Sequence, residues 1–463
     1  MIGVATGCAL NPATGSRQLI LVSESQEIQM GREADEDIVP ALGLVDDPAL
    51  QEYVQDLGNR MARASERPGL PWTFRVVDDP VANAFALPGG FIYVTRGILN
   101  HVSSEAELAG VVGHEIGHVT ARHGAAQMSR AQLAQIGLGV GSILAPDLSP
   151  YADLTGAGLQ ILFLSYGRDA ERQADDLGLR YMTTLGYEPR AMAATFEMLA
   201  AASGALDGDR LPGFLSTHPD PLSRRDRILE QAEAFEPGGA VERESYLRRL
   251  EGMPFGTNPR NGYFEGASFV HPELAFQVDF PEGWSGTNEA FAVRAASPER
   301  DAILALTIVE ASSPWEARER FLAGDGVTEF SSRDTPVNGL TAGWTEFSAQ
   351  TEEGALDGTA VFLEHRGRIY RILGLAVRAR WTVRAATLRA ALGSFRPITA
   401  RAILDIQPDR ITLVRTPEAM TLEEFHERYP STIPVEQVGT INQLRPGDTI
   451  PAGTLLKRVA GGS

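Results

Sequence analysis

The chain has 463 residues, 43% hydrophobic and 22% charged, a globular balance that excludes intrinsic disorder and suits roughly two to four domains with cores of their own. A net charge of −19 with no basic stripe excludes nucleic acid as a partner. The single cysteine, Cys8, excludes an intrachain disulfide, and no apolar run reaches the roughly 18 residues of a membrane helix.

In chain order, small residues stand directly before Cys8, as in a bacterial lipobox, and a small, polar stretch follows. Only seven residues precede Cys8, without a charged n-region. The expectation is a truncated lipoprotein signal with a tether over 1–23; a free N-terminal thiol is the alternative. Residues 24–66 carry two helical patterns. In the second, capped by Asp46 or Asp47, Leu50, Tyr53, Val54, Leu57 and Met61 share one face. Trp72, Phe74 and Val76 alternate as a strand over 72–78, and two β-prone runs flank Pro88-Gly89-Gly90 as a hairpin. A helix is expected at about 104–123, with Ser104 and Glu107 as capping box and Leu108, Val111, Val112, Ile116 and Val119 as apolar face. The glycine-rich stretch Ala131–Ala145 reads as a packed helix or site cover. Another helix is expected over 160–186, stopping at Gly186, and Pro189 suits the first turn of the next.

From about residue 255 the texture changes. Residues 253–267 have linker composition. Strands are expected at Ala275–Phe280, Ala290–Ala295, Ile303–Ala311, Thr359–Glu364 and Arg368–Leu375, with helices near Trp315–Leu322 and Arg380–Leu392. The last unit has strands at Ile411–Val414 and Thr454–Val459 and a helix at Thr421–Arg428. The fold class is therefore multidomain α+β: a mainly helical domain with a small sheet over 24–252, an antiparallel α+β domain over 268–398, and a small βααβ unit over 399–463.

The most informative feature is His114-Glu-Ile-Gly-His118 inside the third helical pattern. Positions four apart on a helix lie about 40° apart, so both imidazoles can face one metal ion. Glu115 points aside, placed to reach a water on that metal as general base. The competing reading is a surface helix with solvated histidines; the apolar flanks oppose it. Three candidates compete as third ligand. An extended motif needs glycine at 121 and histidine at 124, where the chain has Ala121 and Gly124. His123 falls one residue short and reads as solvated or structural. In Ser165–Asp176, Glu171 and Asp175 share a helix face. Glu171 can reach the metal while Asp175 accepts a hydrogen bond from a ligand histidine's other nitrogen. Asp169 and Asp176 fall on other faces, and an ordinary charged helix is the alternative. His218, held out of helix by Pro219, can polarise a substrate carbonyl, occupy the open metal position when no substrate is bound, or have no role.

His114–His118, Arg168-x-x-Glu171-x-x-x-Asp175 and the Thr217-His218-Pro219 loop, in this order, together with Asn83-Ala84-Phe85-Ala86 upstream, resemble the gluzincin family of CaaX prenyl proteases, HtpX-type heat-shock proteases and mitochondrial Oma-type proteases. The likeness covers about residues 8–235 and is strongest to the soluble periplasmic, lipoprotein-like branch. It implies one zinc ion held by His114, His118 and Glu171, Glu115 as catalytic base, Asp175 behind the ligands, and roles near the site for His218 and Arg224. Arg225 and Arg227 leave the arginine register open. The expected reaction is hydrolysis of peptide bonds in unfolded or misassembled envelope proteins, with zinc and His218 facing the oxyanion and Asn83–Ala86 as a strand edge for extended substrate. Residues 276–284, Phe-Gln-Val-Asp-Phe-Pro-Glu-Gly-Trp, resemble PsbP or Mog-type sandwiches. Thr421-Leu-Glu-Glu-Phe425, Ile441-Asn442 and Gly447–Thr454 are similar to a LysM module, which implies peptidoglycan as a further partner. The expected place is the periplasmic side of a bacterial envelope, lipid-anchored at Cys8 to the outer membrane. The rival readings are a zinc-stabilised assembly factor that cuts nothing, and a peptidoglycan-binding protein.

Overall fold

The computed structural model describes residues 8–137, 166–202, 218, 220–289, 292–351 and 354–461. The chain forms two compact units. One holds the described residues up to Thr257 together with Asp409–Gly461; the other holds Asn258–Pro408.

The first unit opens on an antiparallel pair, β1 (Cys8–Leu10) and β2 (Arg17–Leu19). Helices α1 (Glu24–Leu42) and α2 (Pro48–Arg63) follow. Asp47 caps α2 by accepting from the Leu50 N–H, and Pro48 occupies the first turn, where its missing N–H costs nothing. The anticipated face, Leu50 through Met61, is buried. Strands β3 (Thr73–Val77), β4 (Ala84–Leu87) and β5 (Phe91–Thr95) form a sheet in the order β3-β5-β4, with β5 parallel to β3 and antiparallel to β4. Among the described residues β4 is therefore an edge. The hairpin between β4 and β5 turns on Gly89 and Gly90, at φ of 84° and 105°. A Cβ on Gly89 would sit 2.5 Å from Ile28 Cα, so this turn needs glycine for both its conformation and its fit against α1.

Then come α3 (Arg96–His101), α4 (Glu105–Thr120), α5 (His123–Gly137), α6 (Arg168–Thr184), α7 (Arg190–Ala202), α8 (Pro221–Ala232) and α9 (Arg243–Arg249). Ser104 caps α4, but the Glu107 carboxylate takes the Ser103 N–H, one residue earlier than an ordinary capping box. Every residue from Ala106 to Thr120 is buried, so α4 is a central helix rather than an amphipathic one. It stops short of the expected end: Arg122 takes a left-handed φ of 60°, and α5 restarts at His123. α6 ends before Gly186, and Pro189 lies one residue before α7. The expected cover at 131–145 lies beyond the described side chains, as do residues 160–165 of the expected helix.

α4 and α6 approach through small residues. A Cβ on Gly117 would lie 2.9 Å from the Ala174 carbonyl oxygen, and one on Gly178 would lie 2.8 Å from the His114 nitrogen. That near contact lets carboxylates on α6 reach imidazoles on α4.

The C-terminal strands Arg410–Arg415 and Leu455–Ala460 pair antiparallel around helices Leu422–Arg428 and Val435–Asn442. This matches the expected βααβ order, but the segment does not stand apart. Ile411, Ile441 and Val459 join the same core as α2 and α4. Lys457, the chain's only lysine, is fully buried and donates to the carbonyls of Asn100, His101 and Val102 at the end of α3. The stretch expected as a linker also packs: the Pro254 carbonyl accepts from Arg96 and Asn100, and Met253 bonds to Ile411. The boundary expected at 398/399 therefore falls at 408/409.

The second unit is the expected antiparallel α+β fold. Seven strands run in the order Val327–Asp334, Ala342–Thr351, Gly354–His365, Arg368–Val377, Ala302–Val309, Ala292–Ala296, Ser285–Asn288. Helix Trp381–Leu392 covers one face with Leu388 and Leu392, and helix Pro314–Leu322 the other with Ala317. Residues 290–291 of an expected strand lie outside the described ones. Among the described residues no helix is long and apolar enough to cross a membrane.

Candidate metal centre

α4 presents His114 and His118 on one face, and α6 brings Glu171 and Asp175 against them across the glycine contact. His218, the one described residue of its loop tripeptide, enters from the third side. Ligand atoms of His114, His118, Glu171 and His218 lie within 4.8 Å of one another, and all four residues are buried. His114 Nε2 is 3.0 Å from His118 Nε2, 3.3 Å from His218 Nδ1 and 3.6 Å from Glu171 Oε2. His118 Nε2 is 3.4 Å from Glu171 Oε1, and His218 Nδ1 is 3.0 Å from it.

These spacings test the fit to a metal. Ligands at zinc bond lengths in a tetrahedron stand about 3.3 Å apart. The observed separations bracket that figure. Three imidazoles and a carboxylate packed together out of water are costly without a cation between them. The set fits a divalent metal ion.

The surroundings hold the donors in place. Asp175 Oδ1 lies 2.9 Å from His114 Nδ1, the partner expected for it. Arg224 grips Asp175 with two bonds, Nε to Oδ2 at 3.0 Å and Nη2 to Oδ1 at 2.6 Å, and reaches Glu171 Oε2 with Nη1 at 2.9 Å. Its guanidinium stacks 4.3 Å from the Phe196 ring centre. The register left open in the sequence is thus resolved: Arg224 is buried in the site, and Arg225 and Arg227 pair with Asp226 and Asp176 outside it. Asp169 and Asp176 are exposed, as their faces required.

Burial sets the charges. It raises the Glu115 carboxyl above its ordinary range. Among the described residues Glu115 Oε1 has no hydrogen-bond partner, and it lies 3.7 Å from His218 Nε2. Burial also opposes ionisation of Glu171, but the imidazoles of His218 and His118 outweigh it and hold this carboxyl well below the usual range. For Asp175 burial is outweighed by Arg224, and its carboxyl is likewise lowered.

His123, expected as solvated or structural, is the latter: it is buried, and its Nδ1 lies 3.0 Å from His118 Nδ1. Tyr166 and Phe196 were not expected at the site. Tyr166 stacks on the His118 ring at 4.1 Å. Phe196 carried no signal beyond helical apolarity. Residues Ala84, Phe85 and Ala86 lie on β4, beside α4, and Asn83 stands just before that strand.

The model of peptidase family M48 matches residues 48–232. The mitochondrial metalloendopeptidase OMA1 of Schizosaccharomyces pombe is 32% identical over 240 residues, which are 50% of this chain and 68% of that one. The chain belongs to peptidase family M48. Other relatives include the mitochondrial metalloendopeptidase OMA1 of Arabidopsis thaliana, 36% identical over 43% of this chain and 40% of its own length. The β-barrel assembly-enhancing protease of Yersinia pestis is 32% identical over 53% of this chain and 52% of its own. The chain thus spans about half or less of the length of these two relatives. A solved structure of cyanobacterial PsbP from Synechocystis aligns with 29% of this chain and 94% of its own at 14% identity, with a TM-score of 0.25, too low to bear on the fold.

Proposed function

We propose that this protein is a zinc metalloendopeptidase that hydrolyses peptide bonds in unfolded or misassembled proteins of the bacterial cell envelope. The observation that carries the reading is the buried convergence of His114, His118 and Glu171 with Glu115 beside them. His114, His118 and Glu171 would hold the ion. When bound, zinc would supply Lewis acidity there, toward a scissile carbonyl and a water. Glu115, with a raised pKa and an oxygen that lacks a hydrogen bond, takes the proton from the attacking water and returns it to the leaving amine. Asp175 fixes the His114 ring, and Arg224 fixes Asp175. His218, inside the ligand cluster, would face the oxyanion and polarise the scissile carbonyl.

The edge strand β4 receives substrate backbone as an added strand, so access rather than side-chain identity selects what is cut. The name of the Yersinia relative supports an envelope role; the periplasmic side and a lipid anchor at Cys8 rest on the sequence likeness alone. Peptidoglycan as a second ligand rests on the sequence likeness of residues 421–454 to LysM alone, and is tested by retention of the full chain on purified peptidoglycan.

The deciding experiment is Glu115→Gln in zinc-loaded protein. The proposal expects cleavage of an unfolded casein substrate to fall by about 10²–10⁴-fold with zinc content unchanged. Undiminished cleavage would overturn the assigned base. Absence of cleavage by the wild type on any unfolded envelope protein would favour a zinc-stabilised assembly factor.

A further inference from the structure

A chain of side-chain hydrogen bonds runs from the N-terminal segment to a metal ligand. Asn11, just after β1, is buried. Its Oδ1 accepts from the backbone N–H groups of Ala13 at 2.9 Å and Thr14 at 3.3 Å. That commits the amide's orientation, so Nδ2 faces Gln173 Oε1 at 3.3 Å. Gln173 Oε1 also lies 2.8 Å from His123 Nε2, and His123 Nδ1 lies 3.0 Å from His118 Nδ1.

The protons can be assigned from the far end. An amide oxygen only accepts, so His123 Nε2 carries a hydrogen. In neutral His123 the other nitrogen, Nδ1, is then an acceptor. His118 Nδ1 must donate to it, which leaves His118 Nε2 with a bare lone pair, facing His114 Nε2 and Glu171. Reversing any amide along the chain reverses each step. It would put a hydrogen on His118 Nε2, where a cation has to bind.

We propose that Asn11 acts through Gln173 and His123 as a positioning residue that sets the tautomer of His118 for zinc binding. The inference rests on His118 being a zinc ligand, as proposed above. It gives the N-terminal segment a part in the metal centre. That segment is tied to the turn after α4 by independent contacts. Gln18 donates to the Ala121 carbonyl at 2.9 Å, the Leu21 N–H donates to Ser129 Oγ at 2.9 Å, and Ile20 packs on Ala125 and Ala126. Asn11, Gln173 and His123 are remote in sequence, and the left-handed turn at Arg122 aims His123 back at His118.

The test is zinc affinity of the full chain, measured by competition with a chromophoric chelator, beside the tautomers of the zinc-free protein read by ¹⁵N NMR of labelled histidine. Asn11→Asp keeps the turn's acceptor but removes the donor to Gln173. Gln173→Met removes the acceptor for His123. Each should weaken zinc binding by about tenfold, the low end for a residue that orients a metal ligand. Gln173→Glu, still an acceptor, should stay within about threefold of wild type, a rescue that a purely structural role for this position does not predict. In the zinc-free wild type, His118 should carry its proton on Nδ1 and His123 on Nε2, and Asn11→Asp should mix or reverse both. Unaltered affinity in Asn11→Asp and Gln173→Met, or a His123 proton on Nδ1 in the wild type, would overturn the relay alone. A wild type that binds no zinc would overturn the metal centre and the relay together.

Discussion

Replacing Gly178 by alanine tests whether the α4–α6 contact sets the metal site. The new Cβ would lie 2.8 Å from the His114 nitrogen, 3.0 Å from the Gly113 carbonyl carbon and 3.2 Å from His114 Cα. These are backbone atoms in a buried helix and cannot rotate away. Ordinary contact begins at 3.4 Å, so the helices must separate by about 0.6 Å. Overpacking of this kind costs about 1–3 kcal/mol. In a unit of this size that lowers the melting temperature of metal-free protein by about 2–6 °C. The same displacement carries Glu171, two turns earlier on α6, away from His114 and His118. Metal bond lengths tolerate only about 0.2 Å, so zinc affinity should fall on the order of tenfold or more. Thermal melts and chelator competition measure the two effects separately. Gly69→Ala, with nothing within 4 Å of the added Cβ, is the control and should stay within about 0.5 kcal/mol. A Gly178→Ala protein with wild-type melting temperature and zinc affinity would refute the argument from close approach.

Other consequences are as direct. Arg224→Lys replaces a fork that binds Asp175 twice and reaches Glu171 by a single ammonium, so zinc affinity should drop by about tenfold although charge is kept. His101 is buried in the first unit, and burial pushes its imidazole down to about 4 from 6.5. Below pH 6.5 the unfolded chain binds a proton that the folded chain refuses until about pH 4, so stability is lost across that window as pH falls. The loss between pH 7 and pH 5 should be about 2 kcal/mol, and His101→Asn should remove it from the urea-denaturation profile. Lys457→Met leaves the carbonyls of Asn100, His101 and Val102 without their buried donor, and should destabilise the first unit by about 2–4 kcal/mol in urea melts. A chain ending at Pro408 should lose the cooperative melt of its first unit, because Ile411, Ile441 and Val459 belong to that core.

The parts of the site legible in the sequence are those fixed by local helix geometry. His114 and His118 are four apart on α4, and Glu171 and Asp175 four apart on α6, so each pair shares a face whatever the rest of the chain does. The hairpin at Gly89-Gly90 and the cap at Asp47 were legible for the same reason: turn and cap chemistry is local. Of the two readings of His123, solvated or structural, the structure shows the second, which the expected helix to 123 could not single out. Five residues on an unbroken helix place His123 about 140° from His118, on another face. A single left-handed residue, Arg122, reverses that. The place of residues 409–461 was hidden because it depends on a buried lysine and three apolar residues meeting a core built hundreds of residues earlier in the chain. In the second unit, strand Val327–Asp334 was missed because its side chains are almost all exposed and polar, which leaves no alternation to read.

The central claim is that His114, His118 and Glu171 grip one zinc ion between two helices. Anomalous diffraction at the zinc edge, on crystals of the full chain grown with zinc, tests it most directly. One strong peak is expected within about 2.0–2.2 Å of His114 Nε2, His118 Nε2 and a Glu171 carboxylate oxygen. A peak elsewhere, or none among these three residues, would contradict it.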